Sequence, residues 1–134
     1  MNAIRAGGLY FLVVFACGFV LGAIRVTFVA PATGALAATL IELPLMLAIS
    51  WWVASRVVEK LKVAAHIGDR LVMGGVGFVL LMVAEFTLGT LLGRSLAEQW
   101  HDLGQPPGLV GIGGQIVFGL MPPLITLQKR LTTV

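Results

Sequence analysis

This chain has little charge. Only 11% of its 134 residues are Asp, Glu, Lys or Arg, against about 25% in an ordinary soluble domain. That shortage excludes a soluble core wrapped in a charged surface. Cysteine is nearly absent. The single Cys17 cannot close an internal disulfide, so cysteine usage names no redox compartment. Catalytic signatures are missing too. There is no phosphate loop, zinc signature, nucleophile elbow or dinucleotide fingerprint. The glycines of Gly74-Gly75-Val76-Gly77 follow no strand and cradle no phosphate. The chain is therefore not expected to be an enzyme, and no cofactor or metal ion is expected.

What is there is apolar. Hydrophobic residues make up 58% of the chain and the mean hydropathy is +1.00. The net charge of +3 could suggest nucleic acid, but the basic residues sit at the ends of apolar runs. There they orient a membrane protein. The lipid bilayer is the expected partner and nucleic acid is not.

Leu71 to Gly93 is the stretch around which the rest must be arranged. Its 23 residues contain one charge, Glu85. At about 1.5 Å per residue it can cross the roughly 30 Å hydrocarbon core of a bilayer. Three further apolar runs give spans at about 7–29, 35–54, 71–93 and 108–127, within one domain covering 1–134. The predicted fold is all-α: an integral membrane bundle of four transmembrane helices, antiparallel in sequence order. A short polar start, Met1 to Arg5, precedes the first span. Pro31 to Gly34 is expected to form a tight turn. Pro44 is expected to kink the second span, which ends on Trp51 and Trp52 at an interface. Arg56 to Arg70 reads as a solvated connection. Arg94 to Pro107 reads as a short interfacial helix with Trp100 as its anchor, and Glu98, His101 and Asp102 as surface polarity. Pro122 and Pro123 are expected to break or kink the fourth span.

Topology follows from counting. Arg5, Arg56, Lys60, Lys62, Arg70, Lys129 and Arg130 share one side, and Arg25 and Arg94 share the other. The positive-inside rule then places both termini in the cytoplasm of a bacterial inner membrane. Val14-Phe15-Ala16-Cys17-Gly18 loosely matches a lipoprotein cleavage site. Phe15 fits that site poorly and apolar sequence continues past Cys17, which favours a retained span.

Polar residues recur at similar depth. Glu42, Glu85 and Gln115 each lie seven or eight residues from the same end of their span. Arg25 lies about one turn shallower and can reach inward. Each continues a row of small residues: Gly18, Gly22, Arg25; Gly34, Ala38, Glu42; Gly77, Glu85, Gly89, Gly93; Gly108, Gly111, Gln115, Gly119. Residues three or four apart share a helix face, and small residues let membrane helices approach closely. The candidate site is thus a buried polar layer of Arg25, Glu42, Glu85 and Gln115. Arg94 is a further candidate charge partner, and Gly18, Gly22, Gly89 and Gly93 are candidate packing glycines. Two readings stand side by side. The glutamates form a structural network neutralised by arginine, or one of them cycles a proton or cation.

Gly18, Gly22-Ala23 and Arg25 resemble the start of the small four-span fluoride channels. The likeness spans eight residues. The asparagine-bearing second span and the Thr/Ser-rich break of those channels are absent. Small multidrug-resistance transporters match in size, but their essential glutamate lies in the first span, where this chain has none. The arrangement resembles the uncharacterised four-span proteins of bacterial inner membranes, a general likeness that carries no functional residues. The expected function is a small membrane protein packing as a homo-oligomer or as an accessory subunit of another membrane protein complex. The alternative is a proton- or cation-coupled transporter or channel using Glu42 and Glu85.

Overall fold

The computed structural model describes residues 2–132; Met1, Thr133 and Val134, the two ends of the expected domain, lie outside the described residues. It is helical, with no strand among the described residues. The described residues form five helices: α1 Asn2–Thr33, α2 Ala35–Lys60, α3 Ile67–Leu91, α4 Leu96–Leu103 and α5 Pro106–Thr132. α1, α2, α3 and α5 are long and apolar enough to cross a membrane, which makes the chain a multi-pass membrane protein. Helix is the conformation that lets an apolar segment satisfy its own backbone in lipid. Large apolar side chains such as Phe28, Trp52 and Leu91 point outward around the bundle, as lipid contact requires.

Pro31 does not turn the chain. α1 contains a π-helical segment, Arg25–Val29, and continues through Pro31 to Thr33. Pro31 stands in the first turn after the π segment, a position where its missing N–H and fixed φ are tolerated. The reversal falls on Gly34 alone, at φ 91°, a conformation open to glycine. α2 likewise runs unbroken through Pro44. At its other end Lys62 takes a left-handed conformation, and Val63 N–H donates to Val58 O at 3.1 Å to close the helix.

His66, exposed in this connection, caps α3 by accepting from Gly68 N–H at 3.1 Å. Arg70 is not part of a solvated connection. It is 3% exposed and donates to Ala64 O, Val63 O and Pro122 O. It thereby fastens the α2–α3 connection onto α5.

α1 packs against α2 and α3, and α5 packs against the same two helices. α2 and α3, consecutive in sequence, therefore sit across the bundle from each other. α1 and α3 run side by side in the same direction, since Gly7 faces Met73 and Val76 while Gly77 faces Tyr10. Both described ends meet the α2–α3 connection: Asn2 donates to Leu61 O at 3.0 Å and Arg130 to Ala65 O at 3.4 Å.

This termini end holds the core. Gly7 lies against the Met73 carbonyl and Gly74 against the Gly119 carbonyl, so closely that a Cβ at either would collide. Of the break or kink expected at Pro122 and Pro123, the break does not occur: α5 continues to Thr132. Those prolines cannot donate to the carbonyls four residues back, Phe118 and Gly119. Tyr10 Oη donates to Phe118 O at 2.7 Å, and its ring stacks on Phe118 at 4.2 Å. A hydroxyl from α1 therefore replaces the missing helical donor.

Candidate functional site

At the opposite end the helices diverge around a cleft of about 750 Å³. α4 sets its rim. Gly93, at φ 88°, ends α3, and Ser95 caps α4 by accepting from Glu98 N–H at 3.1 Å. The Gln99 amide lies over Gly89, where a Cβ would collide with it, and donates to Thr90 Oγ1 at 3.3 Å. Trp100 meets the Phe86 ring at 5.3 Å. Gly108 sits against the Asp102 carbonyl, bringing the start of α5 beneath α4.

Arg25, Glu42, Glu85 and Gln115 all line this cleft. They do so as two pairs. Arg25 Nε donates to Glu42 Oε2 at 2.6 Å, with side chains 33% and 20% exposed. Gln115 Nε2 donates to Glu85 Oε2. The charge of Arg25 acts on Glu85 at longer range, but its hydrogen bond goes to Glu42. The Glu85 side chain is exposed on the cleft wall. Gln115 Oε1 is buried and accepts no hydrogen bond among the described residues.

Arg94 pairs with neither glutamate. It forms an ion pair with Asp102 at the rim. The physical reason is local: the turn at Gly93 directs Arg94 back over α4, whose Asp102 lies two helical turns further on. Three cleft-lining carboxylates thus face two arginines, and both arginines are bonded elsewhere than Glu85.

The candidate packing glycines divide. Gly18 receives Met46 of α2, at 3.3 Å from where a Cβ would stand. Gly22 and Gly89 line the cleft, Gly22 beside the Arg25 guanidinium and Gly89 beneath Gln99. Gly93 meets nothing within 4 Å and serves the turn. Between the long apolar helices, the close backbone contacts are made by Gly7, Gly74 and Gly119 at the other end. Helical spacing marks a shared face, but it cannot say at which level two crossing helices come nearest.

The roles of three groups go beyond what the sequence marks. Ser50, 2% exposed, lines the cleft from α2, and no spacing marked it. Asp102 could be found only by placing α4 in space. Tyr10 carried a signal: it is the chain's one tyrosine, and a hydroxyl inside an apolar span needs a partner. No group of three or more metal-binding side chains exists among the described residues.

No family model matches the chain, and neither a curated protein nor a solved structure does.

Proposed function

We propose that the chain is a small proton- or cation-coupled transporter or channel of the bacterial cytoplasmic membrane, with Glu85 as the group that takes up the charge. One observation carries this reading. The polar layer splits so that arginine neutralises Glu42, while Glu85 faces an open cleft with a neutral bonded partner. A carboxylate placed midway along a membrane span is costly unless it meets water or a cation. The basic residues number seven at the termini end and two at the other. With the termini in the cytoplasm, the cleft opens to the outside. Passage then requires the packed termini end to open in turn.

A homo-oligomer or an accessory subunit of a membrane complex is the second reading, supported by the broad apolar outer face. It loses part of its footing because Gly7, Gly74, Gly77 and Gly119 are used inside the chain. Gly75 and Gly113 remain open on the outside.

The test is flux in liposomes under a pH gradient, with an internal pH dye and monovalent cations varied outside. Glu85→Gln is expected to abolish flux while keeping the unfolding midpoint of the parent protein. Undiminished flux in Glu85→Gln sinks the reading. So does a parent protein without flux whose stability collapses on the same substitution, which would make Glu85 structural. A stoichiometric second protein co-extracted in mild detergent would favour the accessory reading.

A further inference from the structure

Resting on the transporter reading of Glu85, we infer that the cleft takes an organic ammonium ion: a protonated amine carried on an apolar body of one or two rings. The cleft holds one carboxylate whose charge no bonded arginine balances, so a monovalent cation suits it. Its size suits more than a bare ion. About 750 Å³ falls within the range of roughly 300–1,000 Å³ typical of small-molecule sites. Its wall is mainly apolar, with Phe15, Met46, Leu81, Leu88 and Phe118 around the polar groups. An inorganic cation stripped of water asks for about six oxygen ligands. The hydrogen-bond partner of Glu85 is a single amide, and no metal-binding cluster exists among the described residues.

The Glu85–Gln115 pair favours a cation with N–H donors. Gln115 gives its N–H to Glu85, and its Oε1 is a buried acceptor without a donor. An ammonium group brings two or three N–H bonds. One replaces Gln115 as the donor to Glu85. The amide, released, turns about its soft terminal torsion and accepts a second. The orphaned acceptor is then satisfied, and the apolar body displaces water from the aromatic wall. A quaternary ammonium has the charge but no N–H, and an alcohol has a donor but no charge. Each meets part of the site.

The probe is 2-phenylethylammonium, measured by titration calorimetry on the full chain in nanodiscs at neutral pH. Its trimethylammonium analogue, 2-phenylethanol and sodium chloride are run alongside. The primary ammonium is expected to bind at least about tenfold more tightly than either organic analogue, with sodium not competing. Glu85→Gln is expected to lose at least about tenfold in affinity. Gln115→Leu, which keeps the carboxylate, should lose a smaller factor and narrow the gap to the trimethylammonium analogue. Equal affinity in Glu85→Gln and the parent overturns the inference, as does equal binding of the primary and trimethyl compounds. No ammonium binding together with Glu85-dependent proton flux overturns the inference alone and leaves the transporter reading standing. Neither binding nor Glu85-dependent flux removes both.

Discussion

Replacing Tyr10 with phenylalanine removes one hydroxyl and leaves the ring stack on Phe118 in place. The hydroxyl is buried and donates at 2.7 Å to the Phe118 carbonyl, which Pro122 cannot serve. Leaving a buried acceptor unsatisfied costs about 1–3 kcal/mol in proteins generally. Interhelical hydrogen bonds in membranes average about 0.6 kcal/mol and reach about 1.7, because groups released in lipid find other partners. Here the nearest alternative donor, the amide of residue 122, does not exist. The expected cost therefore lies near the top of the membrane range, about 1.5 kcal/mol, or about tenfold in the folded-to-unfolded ratio. The assay is equilibrium unfolding in mixed micelles, followed by the fluorescence of the three tryptophans. The decisive comparison uses Pro122→Ala, which restores an N–H that can bond to Phe118 O within the helix. On that background Tyr10→Phe should cost less than about 0.5 kcal/mol, giving a coupling of about 1 kcal/mol. Equal costs on both backgrounds would refute the idea that Tyr10 stands in for a missing helical donor.

Other expectations use the same titration or simple labelling. Gly74→Ala drives a methyl into the Gly119 carbonyl and should cost about 1–3 kcal/mol as overpacking does. Gly75→Ala, next to it with nothing within 4 Å, should stabilise by up to about 1 kcal/mol through helix propensity; matching effects at the two sites would contradict the packing described. Glu42→Gln leaves the Arg25 guanidinium unpaired. The cost should be about 1–2 kcal/mol, below the 3–5 of a fully buried pair because these side chains are 33% and 20% exposed. Adding Arg25→Gln should recover most of it, and a fully additive double variant would show that the pair is not coupled. For topology, a cysteine placed at Gln105 in a Cys17→Ser background should react with an impermeant maleimide on intact cells, and one at Lys60 should not. The reverse pattern would invert the orientation.

The helices were legible because hydropathy runs of bilayer length leave the backbone few alternatives. The polar residues that line the cleft were legible as residue types at matching depth in separate spans. The pairing was not. Which carboxylate meets Arg25 depends on the register of α1 near Arg25, and the π segment Arg25–Val29 changes that register. Pro31 hinted at irregularity, but proline more often signals a turn, and a turn was expected there. The partner of Arg94 was hidden for a similar reason. Its direction is set by the positive φ of Gly93 and by where α4 folds back. The Phe118 carbonyl, which Pro122 cannot serve, takes its donor from α1, over a hundred residues away in sequence. No local propensity can supply that. Arg70 looked like one more basic residue of a polar connection. It is buried with three carbonyls around it accepting its hydrogen bonds.

The two ends of the bundle are held by different physics, and the difference says what transport would demand. Around the cleft, helices meet through side-chain pairs such as Arg25–Glu42 and Glu85–Gln115. At the termini end, backbone meets backbone across Gly7, Gly74 and Gly119. Close packing of this kind is what holds membrane helices together. A solute entering the cleft can leave by the other end only if that contact opens. α5 is the element suited to do so, since two consecutive prolines free the carbonyls at the contact and are common sites of helix bending. Thr126 lies within this region, 3% exposed, with its hydroxyl buried and without a partner among the described residues. Thr126→Val keeps the shape and removes the unsatisfied group, so it should stabilise the closed end by about 1 kcal/mol. The substitution is far from the polar layer and leaves Glu85 and its partner untouched. If opening of the termini end limits passage, flux should fall several-fold while binding to the cleft is unchanged. A stabilised variant with undiminished flux would mean that the packed end is not the gate, and that any path through the protein runs elsewhere.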